Sequence, residues 1–389
     1  MGRLRILLFV RHYLPGYKSG GPVRTISNLV HALGDEFDFR IVTSDRDFLD
    51  GSPFPGVLPD RWSIVGKGMV YYESPRRQGV LSCARMMREQ PHDVLCLNSL
   101  FDPVSSLNPM LARRIPGTPA PPVVLAPRGE LSPEALALKG WKKRVFLSIA
   151  RSVEYYRGVL WHASNEEEAH RIRQQFGESA QIVVASDLAD LSALATAPDD
   201  DERREGPLRI VFLSRISRMK NLDYALKSLA RCPVPVQFDI WGTTEDKGYW
   251  KECRKLIEGL PANVVAVYRG VANHSRIAEI LSGYDLFFLP TRGENYGHAI
   301  AESLLVGTPV LISDRTPWRG LDTHGVGWDL PLDDDGSDFL RRIEVAAKKV
   351  TGERAFWRRR VREYAAERLG DSDLIEANRQ VLLRAMGCR

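Results

Sequence analysis

Short apolar runs that can form buried strands alternate with helical stretches along the whole chain. In the first half, the runs cover residues 5–10, 39–43, 93–97, 122–126, 160–163 and 181–185. A helical stretch covers residues 23–33, where Ile26, Leu29, Val30 and Leu33 recur at helical spacing. This alternation is typical of a parallel sheet with helices on its faces, so we predict an α/β fold.

The alternation restarts after a polar, charged segment at residues 197–207, which we interpret as an exposed linker. The later runs cover residues 208–213, 236–241, 264–268, 285–289 and 309–312. A chain of 389 residues is long enough for two cores. We therefore predict two Rossmann-like domains, residues 1–195 and 207–370, that face each other across a cleft. Ligands bind open α/β sheets at the carboxyl ends of the strands.

Composition excludes several classes of protein. The five cysteines are scattered without the spacing of a metal site or a disulfide framework, which indicates reduced thiols. No apolar run reaches the ~20 residues that span a bilayer. The net charge of +5 fits an anionic ligand or a weak attraction to anionic lipid, and it is too small to indicate nucleic-acid binding. We expect a cytoplasmic protein without a nucleic-acid partner.

Two loops that each follow a strand could hold a diphosphate. In the first half, Gly20 and Gly21 precede a helix, where backbone amides can approach a phosphate closely. An ordinary glycine turn remains the alternative. In the second half, Arg215 and Lys220 precede a helix for which Asn221 is a candidate cap. Two fixed cations can stabilise a leaving diphosphate without a metal, although a solvated basic loop would have the same sequence.

A third loop, at residues 289–302, again runs from a strand through glycines into a helix. Glu294 lies in the loop, and Glu302 lies on the helix four residues after His298. Carboxylates accept hydrogen bonds from pairs of hydroxyl groups, so we interpret these two as contacts to a ribose and to a transferred sugar. For Glu302 the alternative is a surface glutamate, but apolar neighbours such as Ile300 and Leu304 favour a buried one.

Over nearly its whole length the chain resembles the retaining, family-4 glycosyltransferases of the GT-B fold. The most specific signal is the pair Glu294 and Glu302, followed by Leu-Val-Gly-Thr-Pro-Val at residues 305–310. The Arg-Ile-x3-Lys motif from Arg215 to Lys220 comes next, and then the Gly20-Gly21 loop. The resemblance implies an acceptor-side first domain, a donor-binding second domain and a final helix, within residues 371–389, that crosses back to the first domain.

The resemblance also implies roles for single residues. Arg215 and Lys220 would bind the donor diphosphate, Glu302 the ribose, and Glu294 the donor sugar near the reacting centre; Arg215, Lys220 and Glu294 are the catalytic candidates. Further donor contacts are expected from Gly20, Gly21, Asn295, Tyr296, Gly297, His298 and Arg128, and base contacts from the backbone around Arg269 and Val271. The family retains anomeric configuration, and a nucleotide sugar is its co-substrate. No metal and no cofactor are expected.

Two stretches depart from the family pattern. Arg128 stands where many relatives carry a histidine, and residues 127–136 look like the subgroup that acts in exopolysaccharide and lipid-linked glycan assembly. That subgroup implies a glycan or lipid-linked saccharide acceptor. The usual Pro-Asn-Gly near the domain junction is absent, and residues 184–189 stand in its place.

Other features admit two readings each. The basic and aromatic segment at residues 139–157 could contact the inner face of the cell membrane, or it could be a solvated helix. Asp45 and Asp47 match a metal-binding Asp-x-Asp by chance, and His162 is interpreted as structural. A nucleotide-sugar epimerase or a phosphorylase of the same fold, or an inactive scaffold in a glycan-assembly complex, remain the alternatives to a transferase.

Overall fold

Nearly continuous apolar strands pair side by side in two separate sheets, as expected where helices cover both faces of a sheet. The computed structural model describes residues 2–137, 140–195, 206–333 and 335–387. The chain divides into a first unit, Met1–Leu188 with Ser372–Arg389, and a second unit, Ala189–Asp371. Most of the predicted linker, at residues 197–207, lies outside the described residues.

The first unit is built on an eight-stranded sheet. Its strands are β1 (Leu4–Phe9), β2 (Phe37–Ser44), β3 (Trp62–Val65), β4 (Gly68–Glu73), β5 (Val94–Asn98), β6 (Val123–Ala126), β7 (Val159–Ala163) and β8 (Ile182–Val184). Their order is β3-β4-β2-β1-β5-β6-β7-β8, and β3 alone pairs in an antiparallel direction. The sequence prediction missed β3 and β4, which form the edge beyond β2.

Helices cover both faces of this sheet. They are α1 (Gly21–Leu33), α2 (Val80–Glu89), α3 (Asn108–Ala112), α4 (Pro133–Ala137), α5 (Gly140–Ser152) and α6 (Glu166–Phe176). A 3₁₀ turn at Pro75–Arg77 precedes α2, and a π-helical turn at Pro103–Leu107 precedes α3. One apolar cluster fills each face of the sheet, and α1 contributes Ile26, Val30 and Leu33 to the face around β1.

The second unit has a six-stranded, wholly parallel sheet. Its strands are β9 (Leu208–Leu213), β10 (Val236–Trp241), β11 (Val264–Gly270), β12 (Leu286–Leu289), β13 (Val310–Ser313) and β14 (Gly327–Leu330), in the order β11-β10-β9-β12-β13-β14. The sequence prediction missed β14. The helices are α7 (Ser192–Ala195), α8 (Leu222–Leu229), α9 (Lys247–Glu258), α10 (Ile277–Ser282), α11 (His298–Leu305), α12 (Leu321–His324) and α13 (Ser337–Leu369), with a 3₁₀ turn at His274–Arg276.

At the unit boundary, apolar side chains determine which unit a segment packs against. Ala189, Ala193 and Leu194 contact the apolar cluster of the second unit, although the sequence placed them in a first domain ending at residue 195. The last helix, α14 (Ser372–Gly387), buries Val381, Leu382 and Ala385 in the first unit.

Polar contacts also fix α14 on the first unit. The Asn378 side chain donates to the Ser186 carbonyl oxygen at 2.8 Å, and Arg379 pairs with Glu36 at 2.6 Å. The predicted return of the final helix to the first domain is confirmed. Within the described residues, no helix is long and apolar enough to cross a bilayer.

Candidate functional site

The loops after β9 and β12 meet at the carboxyl edge of the second sheet, because these two strands are neighbours there. The Arg292 amide donates to the Met219 carbonyl oxygen at 2.8 Å, and the Thr291 hydroxyl donates to the same oxygen at 3.1 Å. The Ser313 hydroxyl, at the end of β13, donates to the Thr291 carbonyl oxygen. Hydrogen bonds to main-chain carbonyl oxygens therefore join the loops after β9 and β12 to each other and to the end of β13.

The structure brings Lys220 and Glu294 together across this junction. The Lys220 ammonium donates to Glu294 Oε1, and the two side chains are only 11% and 13% exposed. A charge so far removed from water needs a partner, and each supplies the other's. Glu294 is itself positioned by its amide, which donates to the Arg315 carbonyl oxygen at 2.9 Å. Because an ammonium has three donors, Lys220 can contact an anion and Glu294 at the same time.

Asn221 does not cap α8 through its side chain, which corrects the sequence prediction. It stands at the capping position with a left-handed φ of 61°, but its side chain makes no capping hydrogen bond. Its amide nitrogen donates instead to the Pro290 carbonyl oxygen at 2.9 Å, and its amide oxygen accepts from Arg292 Nε at 3.1 Å. Asn221 thus joins the two loops directly beside Lys220, a role that no local sequence signal indicates.

Arg215 lies on the same loop but turns toward the next strand. Its guanidinium is 3.5 Å from Glu245 and its side chain is 47% exposed. Gly242 shows how tightly the loops after β9 and β10 approach, because a Cβ there would lie 1.8 Å from the Ser214 carbonyl oxygen. Arg215 and Lys220 therefore project from one short, constrained loop, and Arg215 is much more exposed to solvent than Lys220.

The loop that enters α11 has a fixed shape. Gly297 adopts a φ of +85°, a left-handed conformation that favours glycine, and a Cβ there would lie 2.8 Å from Ile300 Cδ1. The Trp318 indole donates to the Tyr296 carbonyl oxygen at 2.6 Å, and the Tyr296 and His298 rings meet edge to face at 4.7 Å. The sequence analysis missed Trp318, since its only signal is a position shortly after β13.

Glu302 and Asn295, the other candidates on this segment, are half-buried. Glu302 lies one helical turn after His298 and on the same face of α11. The amino end of α11 thus follows Glu294 within one continuous loop. The structure groups Lys220, Glu294 and the start of α11 at one edge of one sheet, where parallel sheets bind ligands.

The two candidates for base recognition lie at the end of β11. Arg269 Nε is 3.1 Å from Asp239 Oδ2, which also accepts from the Tyr284 hydroxyl at 2.8 Å. Val271 follows the strand and is 38% exposed. The Arg269 side chain thus has a partner on β10, while the backbone beyond it leads to the carboxyl edge.

Gly20 and Gly21 belong to the first unit. Gly20 has a φ of +70° and immediately precedes α1, and Gly21 is the first residue of that helix. Asp47 shapes the preceding turn, because its carboxylate accepts from the amides of Tyr17 at 2.9 Å and Lys18 at 3.2 Å. The sequence analysis treated Asp47 only as part of a chance metal motif. The structure shows it fixing the turn that leads into the glycines.

Arg128 lies in a buried polar network at the carboxyl edge of the first sheet. Its guanidinium pairs with Asp187 at 2.6 Å and donates to Asn98 Oδ1 at 3.2 Å, and its side chain is 11% exposed. The Thr25 hydroxyl donates to the other Asp187 oxygen at 2.7 Å. Arg128 therefore joins β5, β6, α1 and the chain after β8, and its contact with a donor stays a prediction.

His162 is a buried structural histidine, as the sequence indicated. Its Nε2 lies 2.9 Å from the Ala185 carbonyl oxygen, and burial lowers the pKa of its imidazole to about 4. The ring is therefore neutral near pH 7 and contributes no positive charge to this edge. Among the described residues, no three His, Cys, Asp or Glu side chains are grouped to hold a metal ion.

Residues 196–335 match the protein family described as Glycosyl transferases group 1. The matched stretch, named the group 1 domain here, covers less than half of the chain and lies within the second unit. Arg215, Lys220, Glu294 and Glu302 all lie within it. A comparison with curated protein sequences gives no significant match.

Solved structures resemble the whole chain and not only the group 1 domain. HepE of Anabaena, in complex with UDP and glucose, superposes with a TM-score of 0.70 at 17% identity, over 98% of this chain and 99% of its own. Sucrose-phosphate synthase of Thermosynechococcus elongatus gives 0.73 at 16% identity, over 98% of each chain. WaaG, a glycosyltransferase involved in lipopolysaccharide biosynthesis, gives 0.64 at 15%, over 96% and 98%. Such low identities show the fold alone, and that fold is GT-B, as predicted.

Proposed function

We propose that this protein is a glycosyltransferase that moves a hexose from a nucleoside diphosphate sugar to a glycan or lipid-linked saccharide. The observation that carries the proposal is the buried Lys220–Glu294 pair at the carboxyl edge of the group 1 domain. A cation there can neutralise a leaving diphosphate, and a carboxylate beside it can accept from sugar hydroxyls. The start of α11 supplies backbone amides at the same edge.

The proposed reaction retains anomeric configuration and needs no metal. The acceptor oxygen bonds to the anomeric carbon as the bond from that carbon to the diphosphate breaks, on the same face of the sugar. The departing phosphate oxygen takes the acceptor proton. Arg215 and Lys220 then stabilise the charge of the diphosphate, which is the work that a divalent cation performs in other transferases.

The biological setting is proposed because residues 127–136 resemble the subgroup of glycosyltransferases that acts in exopolysaccharide and lipid-linked glycan assembly. The enzyme would act in cell-surface polysaccharide biosynthesis, in the cytoplasm at the inner face of the cell membrane. A lipid-linked acceptor would explain a peripheral membrane contact. UDP is the first nucleotide to test, since HepE was solved with UDP-glucose.

The first test is thermal unfolding with UDP, GDP, ADP, dTDP or CMP, each with and without magnesium. A ligand at about 100 times its dissociation constant adds roughly 2.7 kcal/mol, which raises the melting temperature measurably. We expect one nucleoside diphosphate to stabilise the protein equally with magnesium and with EDTA. Stabilisation by none of them would overturn the proposal and favour an inactive scaffold.

A second test reads the chemistry. With the stabilising nucleotide's sugar as donor, NMR of the earliest product gives the anomeric configuration of the new bond. Retention supports the proposed mechanism, and inversion contradicts it. Interconversion of the donor sugar without acceptor consumption would identify an epimerase instead.

A further inference from the structure

Helix α5 carries an exposed apolar stripe on the outside of the first unit. Trp141 is 66% exposed, Val145 51%, Ile149 58% and Val153, directly after the helix, 52%. Residues four apart lie on one face of a helix, so these side chains form a continuous strip, here named the α5 face. A row of exposed apolar side chains on one helix face is a candidate interaction surface.

The opposite side of α5 is firmly packed, so the α5 face is held in place. Leu147 and Ala150 are buried in the first unit's core. The Phe146 ring contacts Phe101 at 5.8 Å. The Lys143 ammonium donates to the Ala135 carbonyl oxygen at 2.7 Å. A helix anchored in this way presents its outer face without having to rearrange.

Cations border the α5 face. Lys142, Arg144 and Arg151 are exposed, and residues 140–153 contain no Asp or Glu. At 3.6 residues per turn, Lys142 lies on one flank of the stripe, and Arg144 and Arg151 lie on the other. The Lys142 ammonium is 5.5 Å from the centre of the Trp141 ring. An apolar centre between basic flanks is the pattern of a helix that lies in a membrane interface.

The stripe leads into a second basic feature. A surface concavity of about 440 Å³ adjoins Val153 and is lined by Arg113, Arg114 and Arg157, together with Tyr155 and Glu154. The Arg114 guanidinium lies 5.1 Å from the centre of the Tyr155 ring. Three guanidinium groups against one carboxylate leave a positive concavity that suits a phosphate group.

We propose that the α5 face docks the first unit onto a membrane surface that contains anionic lipids. Trp141, Val145 and Ile149 enter the interface, and the flanking cations contact lipid phosphates. Charge complementarity selects this occupant, because every charged side chain within residues 140–153 is a cation. Each basic residue near such a surface adds on the order of 1 kcal/mol. The proposal deepens the peripheral contact in the proposed function, but it does not depend on donor chemistry.

The test is co-sedimentation of the full chain with vesicles of phosphatidylcholine alone or mixed with phosphatidylglycerol. We expect binding to the anionic vesicles that falls as salt is raised. The double variant Trp141→Ser/Ile149→Ser should bind about tenfold or more weakly, because it loses apolar area at the interface. The matched control is Ile64→Ser/Leu81→Ser, since these side chains of the same unit are 79% and 78% exposed elsewhere. Equal loss in both variants would overturn the proposal.

Two charge-reversal double variants test the contribution of the cations to vesicle binding. Lys142→Glu/Arg151→Glu should abolish the preference for anionic vesicles, whereas Lys251→Glu/Arg254→Glu, on the exposed face of α9, should leave it unchanged. Light scattering without vesicles tests a second copy as the occupant. A dimer that the Trp141→Ser/Ile149→Ser variant dissociates would overturn membrane docking.

Nucleotide stabilisation is measured on the same preparations. Retained stabilisation without vesicle binding would reject the α5 docking surface alone. Vesicle binding without nucleotide stabilisation would reject the proposed transferase alone.

Discussion

The two ends of β12 each carry a buried ion pair, and the pairs differ in what surrounds them. At the amino end, Asp285 pairs with Arg354 of α13 at 2.9 Å, and the side chains are 1% and 8% exposed. The second Asp285 oxygen accepts from the Arg209 amide at 3.0 Å. This pair joins β12, β9 and α13 inside the core.

At the carboxyl end, Glu294 pairs with Lys220, and only loops are joined. The two side chains are slightly more exposed, and Lys220 has donors beyond the one that Glu294 accepts. A buried ion pair therefore does not by itself indicate a ligand-binding site. Its position along a parallel strand does, because open parallel sheets bind ligands outside the carboxyl ends of their strands.

The largest expected effect is on stability, at the amino end. Arg354→Met leaves Asp285 buried without its cation, so we expect unfolding free energy to fall by about 3–5 kcal/mol. Urea denaturation measures this. The control Arg359→Met, exposed on the same helix, should change it by less than ~0.5 kcal/mol. Folded Arg354→Met should still be stabilised by nucleotide, and loss of that response would break the comparison.

Lys220→Met should have the opposite profile. Loss of one fixed charge from the proposed transition-state site should lower kcat/KM by about 100- to 1000-fold. Unfolding free energy should fall less than in Arg354→Met, because the Glu294 side chain is 13% exposed, whereas that of Asp285 is 1% exposed, so water can reach the carboxylate that is left without its partner. Initial rates with the nucleotide sugar and urea denaturation measure the two effects. Lys227→Met is the control, because Lys227 is a 62% exposed lysine on the adjoining helix α8. If Lys220→Met destabilised the protein as much as Arg354→Met, the carboxyl-end pair would be structural.

Sequence patterns predicted the two sheets because their strands are strongly apolar, and order along the chain then placed the three loops. The return of the last helix came from the family resemblance. The patterns missed β3 and β14, which are four-residue strands at sheet edges, and β4, which lies beside β3. Ile64 in β3 is 79% exposed, so this apolar residue does not lie on a side of the strand that faces a core.

The chemistry of single loops was predictable, but their contacts were not. Lys220 and Glu294 are 74 residues apart in sequence, and only the adjacency of β9 and β12 makes them partners. The same adjacency gives Asn221 acceptor and donor groups across the junction, which compete with its capping role. Strand order in a sheet is a property of the tertiary structure, so these contacts could not be predicted from the local sequence.

Glu73, a buried carboxylate in the first unit, extends the comparison of the two ion pairs to a carboxylate in a different environment. Glu73, at the carboxyl end of β4, is 1% exposed, and Oε2 has no hydrogen-bond partner within the described part of the chain. Burial, reinforced by Asp60, raises the pKa of Glu73 to about 8. The folded state therefore holds a proton that the unfolded chain releases near pH 4.3, and stability falls as pH rises from there to about 8. Glu73→Gln should remove this fall and make the protein more stable than the wild type above about pH 8. Parallel pH–stability curves for variant and wild type would contradict the burial argument.

The smallest expected effect distinguishes Glu302 from Glu294, the two carboxylates proposed to bind the donor. Glu302→Ala should weaken nucleoside diphosphate binding about tenfold, since its proposed ribose contact is lost while the Lys220–Glu294 pair stays intact. Glu294→Ala should leave that affinity within about twofold and lower kcat instead, because its proposed partner is the transferred sugar. Calorimetric titration with the diphosphate and initial rates with the nucleotide sugar separate the two. Equal loss of affinity in both variants would mean that Glu294 acts by holding Lys220 in place, and the carboxyl-end pair would then bind diphosphate as one unit.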